Sequence, residues 1–279
     1  MDPDVLMVGC GDLGSRIGLR LVDQGHRVLA LRRRVGLVPA PLEGLSVDLT
    51  QETPDLPTLN VRYLVVALTA RPRTEDAYRA TYVEGMSRAL DALDALGQAP
   101  SRAVLLSSTG VHGDVPDGTL IDETSVPSPA DGPARVLLEA EHLFAARVSG
   151  GTVLRCSGLY GGNGSRFVDR VRDGAIDDPH RWTNRIHRDD AAAAVVHLLT
   201  RAEDPDPVYL GNDDEPALMG DVATDLAERM GVPAPTAGDR ARAHGKRISN
   251  SRLRATGWVP AYPTYREGYA GIARVHGGY

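Results

Sequence analysis

Three glycines in Gly9-Cys10-Gly11-Asp12-Leu13-Gly14 have the spacing G-x-G-x-x-G. Gly9 permits a tight turn, Gly11 lets the backbone approach a pyrophosphate, and Gly14 lets a helix pack closely on a strand. The free N–H groups of a helix that starts there would face phosphate charge, so the chemistry on offer is dinucleotide binding through Gly9, Gly11, Asp12, Leu13 and Gly14. The spacing alone is common, and an ordinary strand-to-helix turn is the alternative. A second cluster, Arg32-Arg33-Arg34, stands where a site for NAD usually has an acidic residue for the ribose 2′-hydroxyl. Guanidinium groups suit a 2′-phosphate instead, so NADP is expected over NAD, with a solvated charge run as the alternative.

The elements around the turn give the motif its meaning. Val5-Leu6-Met7-Val8 reads as an apolar strand directly before it. Leu13, Ile17 and Leu21 mark one face of a helix directly after it, and Arg27–Leu31 reads as the second strand. Further strands are expected over Leu45–Asp48, Tyr63–Leu68, Ala103–Ser107 and Thr152–Arg155. Between them, Glu75–Leu96 reads as a long helix with Tyr82, Met86, Leu90 and Leu93 on one face, and a second helix is expected over Ala134–Val148. Alternation of this kind predicts an α/β fold, a Rossmann doubly wound parallel sheet with a smaller C-terminal substrate lobe. The expected division is 1–156 for the dinucleotide-binding core and 157–279 mainly for the lobe, with segments at about 186–210 returning to the core. In that second part, helices are expected at Phe167–Arg172, Asp189–Thr200, Asp221–Met230 and Tyr265–Val275, with a brief strand at Val208–Leu210.

Composition narrows the function classes. The 279 residues are 42% hydrophobic and 24% charged, ample for a buried core. A net charge of −6 gives no basic field for nucleic acid or membrane. No apolar run reaches the roughly 18–20 residues of a membrane span. The first strand begins at about Asp4, which leaves no room for a signal peptide, and two cysteines without metal-ligand spacing suit a reducing compartment, so a cytoplasmic location is expected. No metal site, P-loop or G-x-S-x-G motif is present, and the eight histidines are not spaced as metal ligands.

Later segments resemble the extended short-chain dehydrogenases/reductases, the NAD-dependent epimerase/dehydratase group. Ser107-Ser108-Thr109-Gly110-Val111-His112-Gly113 is similar to that family's S-S-x-x-V-Y-G, with His112 in place of Tyr. Arg155–Gly161 is similar to its R-x-x-x-[VL]-Y-G, and Ile186–Asp190 to its I-H-V-x-D. Asp48-Leu49 looks like the pair whose Asp approaches the adenine. The resemblance implies that Ser108 faces the nicotinamide, and Ala67, Leu68, Ser107 and Arg135 complete the candidate cofactor set. It also implies a Tyr and a Lys spaced Y-x-x-x-K on a helix, yet Asp131 falls on the Tyr position and Arg135 on the Lys position. In these departures the chain is similar to the bacterial YeeZ-like group, as it is over Gly245–Leu253.

The departures bear on chemistry. In the usual site the Lys lowers the Tyr pKa so that a proton can move near neutral pH. A guanidinium cannot exchange a proton there, although Arg135 could hold a ribose hydroxyl. His112, Tyr160, His187 and Tyr82 are candidate replacement acids, each with a packing role as the alternative. Two functions follow: an NADP(H)-dependent oxidoreductase or epimerase-like enzyme on a small molecule, or an inactive NADP(H)-binding sensor. The expected partners are a small-molecule substrate and a second copy in a homodimer, with neither nucleic acid nor membrane.

Overall fold

The computed structural model describes residues 2–115, 118–161 and 166–276. In chain order the elements begin with β1 (Val5–Val8), α1 (Asp12–Asp23), β2 (Val28–Leu31), β3 (Glu43–Leu45), β4 (Tyr63–Val66), α2 (Glu75–Tyr78), α3 (Met86–Ala95) and β5 (Arg102–Ser108). They continue with β6 (Leu120–Ile121), α4 (Gly132–Arg147), β7 (Gly151–Cys156), β8 (Gly158–Tyr160), α5 (Arg166–Arg172), β9 (Trp182–Thr183), β10 (Arg185–His187) and α6 (Arg188–Thr200). The last are β11 (Val208–Gly211), β12 (Ala217–Leu218), α7 (Met219–Met230), β13 (Arg247–Ile248), α8 (Ser251–Ala255) and α9 (Tyr265–His276).

The chain divides into two compact units. The first comprises Met1–Gly113, Pro127–Arg155 and Ala192–Tyr209; the second comprises Asp114–Val126, Cys156–Ala191 and Leu210–Tyr279. A seven-stranded sheet in the order β11-β7-β5-β4-β1-β2-β3 forms the base of the first unit. The pairs β2–β3, β1–β2, β1–β4 and β4–β5 are parallel. Strand order reverses between β1 and β4, as in a Rossmann sheet, and ligands of such sheets bind at the carboxyl ends of the strands at that reversal.

All residues of β1, β2 and β4 are buried, which is why these strands read as unbroken apolar runs. Met86, Leu90 and Leu93 on α3 pack into the same core as Leu6, Leu64 and Leu105. Each such side chain contributes about 1.5–3 kcal/mol through burial. The expected long helix is interrupted by a π-helical stretch, Arg79–Gly85, between α2 and α3. The third strand lies earlier than expected, at Glu43–Leu45 instead of Leu45–Asp48. The apolar pair Leu45 and Val47 pointed to the later stretch, but pairing with Leu29–Leu31 runs through Gly44. A Cβ there would lie 2.6 Å from Cγ2 of Val35, so this edge strand admits glycine where pattern alone would not place a strand.

The second unit has its own core of Tyr160, Val168, Val171, Val222, Leu226, Tyr265 and Tyr269. Its strands form short pairs: β8 with β10 and β6 with β13 parallel, β9 with β12 antiparallel. No helix among the described residues is long and apolar enough to cross a membrane.

Candidate functional site

The glycine turn occupies the reversal point of the first unit. Gly9 has φ +93°, and a Cβ on it would stand 2.6 Å from the Ala67 carbonyl oxygen. Ala67 N–H in turn donates to Val8 O at 2.8 Å, which ties the ends of β1 and β4 together. A Cβ on Gly14 would meet the Gly9 carbonyl oxygen at 2.5 Å. Gly11 differs: a Cβ there would meet nothing within 4 Å. It is the N-cap of α1 and makes no side-chain cap bond. Asp12 lies in the first turn, with its carboxylate 3.4 Å from Arg16 Nε. The start of a helix after a glycine turn of this kind is the sort of place where backbone N–H groups bind phosphate.

Beyond β2, Arg32 donates from Nη1 to Leu37 O at 2.7 Å, while Arg33 is 70% exposed and lies 3.9 Å from Asp48 Oδ2. The other Asp48 oxygen accepts from Thr50 Oγ1 at 2.7 Å and Thr50 N at 3.1 Å. The Thr50 hydroxyl bond is the main cause holding the Asp48 carboxyl below its ordinary range. Leu49 is buried, and its carbonyl accepts from Arg88 Nη1 at 2.8 Å. Next to Ala67, the Leu68 carbonyl accepts from the Tyr82 hydroxyl at 3.1 Å, and burial pushes the Tyr82 phenol up to about 12.

At the end of β5, Ser108 Oγ accepts from Gly110 N at 3.0 Å and caps the short turn Thr109–His112. That bond leaves the Ser108 proton to donate elsewhere. Ser107 Oγ donates to Glu141 Oε1 at 2.5 Å. Glu141 receives Arg155 from Nε at 3.1 Å and from Nη2 at 2.7 Å, and Arg155 Nη1 lies 3.1 Å from His112 Nε2. Glu141 escaped the sequence reading. Its signal was a carboxylate on the apolar row of α4, four residues after Leu137 and three before Phe144, all three buried.

Asp131 and Arg135 occupy other places on the same helix. Asp131 caps α4 by accepting from Ala134 N at 2.8 Å, and its second oxygen accepts from Arg73 Nη2 at 2.8 Å. The Arg73 bond comes first among the causes that hold its carboxyl below the ordinary range. Arg135 is 58% exposed, with Nη2 3.7 Å from Glu75 Oε2.

In the second unit, Tyr160 is buried, with its ring 4.6 Å from Tyr269 and its hydroxyl donating to Thr264 O at 3.4 Å. Burial raises its phenol well above the ordinary value. His187 Nδ1 accepts from Asp189 N at 3.2 Å, and its ring stacks on Tyr262 at 3.9 Å. Asp190 accepts from Ala261 N at 2.7 Å and Tyr262 N at 2.9 Å, holding that segment in place. Among the described residues no group of three or more His, Cys, Asp or Glu could hold a metal ion. Cys10 and Cys156 are both buried and unbridged.

No protein-family profile matches the sequence, and no curated protein does. Solved structures do. A protein of Thermus thermophilus, a UDP-glucose 4-epimerase in complex with NAD, has a TM-score of 0.75 at 21% identity, covering 98% of this chain and 99% of its own. A conserved protein of unknown function from Silicibacter pomeroyi has a TM-score of 0.76 at 28% identity over 99% of both chains. A protein from Methylobacillus flagellatus, assigned by inference to the NAD-dependent epimerase/dehydratases, has a TM-score of 0.82 at 33% identity over 99% of both chains. At that identity and coverage the chain belongs to the NAD-dependent epimerase/dehydratase family, within the extended short-chain dehydrogenases/reductases.

Proposed function

We propose that the protein binds NADP(H) on the Gly9–Gly14 turn and uses it in an oxidoreductase or epimerase-like reaction on a small molecule. The observation that carries this reading is the open space above Gly11, framed by the tight contacts of Gly9 and Gly14. The N–H groups at the start of α1 bind the pyrophosphate there, and Asp48 and Leu49 flank the adenine. Preference for NADP over NAD rests on Arg32, Arg33 and Arg34 at the end of β2, in the sequence position where an NAD site usually has an Asp or Glu for the ribose 2′-hydroxyl. The NAD in the Thermus thermophilus complex supports the cofactor class.

When bound, the nicotinamide supplies or accepts the hydride. The chain's part is to position it and to move one proton. Ser108 offers its hydroxyl to the reacting oxygen. Asp131, ionised and tied to Arg73, does not supply the proton that a Tyr would, and Arg135 does not replace a Lys that tunes it. These two departures favour a place in the YeeZ-like subgroup. Tyr160 and Tyr82 serve packing in this reading, since both hydroxyls donate to backbone carbonyls and burial raises both phenols.

The same commitments support a second reading, a nucleotide-binding sensor without turnover. Calorimetric titration with NADPH, NADP⁺, NADH and NAD⁺ tests the binding. NADPH oxidation over a panel of carbonyls and imines, with Ser108→Ala as control, tests the reaction. Turnover that the Ser108 variant loses supports the enzyme; tight NADPH binding with complete inertness favours the sensor; no nucleotide binding overturns both.

A further inference from the structure

In the second unit one tryptophan gathers two guanidinium groups. Trp182, on β9, is half-buried, and its backbone N–H donates to His244 O at 2.8 Å. The guanidinium carbons of Arg240 and Arg247 each lie 5.4 Å from the centre of its ring, and both arginines are exposed. Gly118 fixes two of these groups at once. Arg247 Nε donates to its carbonyl oxygen at 2.7 Å, and a Cβ on Gly118 would stand 2.9 Å from Trp182 Nε1. The indole and one guanidinium are therefore held in place before any ligand arrives, which lowers the cost of binding one.

The nearby carboxylates are committed elsewhere. Asp114 accepts from Arg181 Nη2 at 2.7 Å, Asp178 lies 3.0 Å from His244 Nε2, and Asp239 accepts from Ala241 N at 2.9 Å. Lys246, directly before Arg247 in the chain, adds an ammonium group that feels the charges of Asp114 and Arg181. Among the described residues no carboxylate pairs with Arg240 or Arg247, and none accepts from the two Nη nitrogens of Arg247. Two cations drawn to one ring repel each other. An anion set against both guanidinium groups relieves that repulsion. The planar fork of a guanidinium presents paired N–H donors that match the oxygens of a phosphate or carboxylate.

We propose that Trp182, Arg240 and Arg247 form a binding site for an anionic oxygen group, phosphate or carboxylate, of a small molecule. Arg247 binds through its Nη nitrogens while Nε stays on Gly118. Arg240 reaches the same anion from the short turn Arg240–Arg242, and the indole supplies an apolar face beside it. The site uses no residue of the Gly9–Gly14 turn and none of Arg32–Arg34, and it does not depend on hydride transfer. It gives a role to the basic segment Arg240–Arg247, which the proposed reaction leaves without one.

Tryptophan fluorescence tests this, because the chain has two tryptophans and Trp258 is only 3% exposed. The full chain is titrated with phosphate, pyrophosphate, succinate and citrate at one ionic strength set with sodium chloride, and calorimetry follows the same samples. The expected result is saturable binding with a change in indole emission that Trp182→Phe loses. Tighter binding of the phosphates identifies a phosphoryl ligand, and tighter binding of the carboxylates identifies a carboxylate. Arg240→Gln alters an exposed side chain and should melt as wild type does. It should bind about tenfold more weakly or worse, the effect of one lost charge-assisted hydrogen bond. Equal affinity in Arg240→Gln and wild type, or a response no different from that to chloride, overturns the proposal. Gly11→Ala should bind the same anions unchanged. Loss of binding in that variant alone would put the anion on the glycine turn and overturn the site. The titration needs neither nucleotide nor turnover, so its failure is distinct from failure of the proposed reaction.

Discussion

Gly9 lies so close to Ala67 that a methyl group on its α-carbon would stand 2.6 Å from the Ala67 carbonyl oxygen. The contact joins the ends of β1 and β4, and the backbone of Gly9 is also in the positive-φ region. Gly9→Ala should cost stability by about 1–3 kcal/mol from backbone strain, with the steric clash in addition. Thermal unfolding should show a lowered Tm, and NADPH binding should be lost.

Asp213 gives the second unit a pH-dependent stability. It is 1% exposed, and burial raises its carboxyl to about 8. An unfolded carboxyl loses its proton near ~4, so between that pH and about 8 only the unfolded chain is ionised there. Its contribution is fully present below pH ~4 and is lost as pH rises through the folded value. Denaturant unfolding at pH 5, 6, 7 and 8 should show Asp213→Asn gaining on wild type as pH rises. A constant difference would contradict this.

Glu139 and Glu141, two residues apart on α4, should respond very differently to removal. Glu139 pairs with Arg79 at the surface, both partners being more than 40% exposed, so Glu139→Ala should cost less than about 1 kcal/mol. Glu141→Ala leaves the Arg155 guanidinium buried without its partner and should cost about 3–5 kcal/mol. Chemical denaturation of the two variants makes the comparison.

Arg33 is the more exposed of the first two arginines after β2, whereas Arg32 is tethered through Leu37 O. A lost charge-assisted hydrogen bond is worth about 1.5–3 kcal/mol. Arg33→Ala should therefore reduce the preference for NADPH over NADH by about tenfold or more, with affinity for NADH nearly unchanged.

The sequence made the first unit easy to read because its information is local. A parallel sheet buried on both faces writes β1, β2 and β4 as apolar runs, and the glycine turn sits between a strand and a helix as its mechanism requires. What escaped depends on distant partners. The pairs β6–β13 and β9–β12 have two residues per strand and carry no periodic signal of their own. The buried link from Ser107 through Glu141 and Arg155 to His112 joins four elements, and only the carboxylate on an apolar helix row hinted at it. Asp131 matched a family position by counting, but its N-cap geometry at α4 shows only in three dimensions.

Gly11 offers the most direct test of the nucleotide site. Among the described residues a Cβ there meets nothing within 4 Å beyond its own chain neighbours, and its φ of −78° suits any residue. Gly11→Ala should therefore fold with stability within about 1 kcal/mol of wild type, the ordinary cost at an N-cap. Calorimetric titration with NADPH should then show binding to wild type and a loss of at least tenfold in the variant. Equal affinity for NADPH in the two proteins would contradict the placement of the pyrophosphate over this turn.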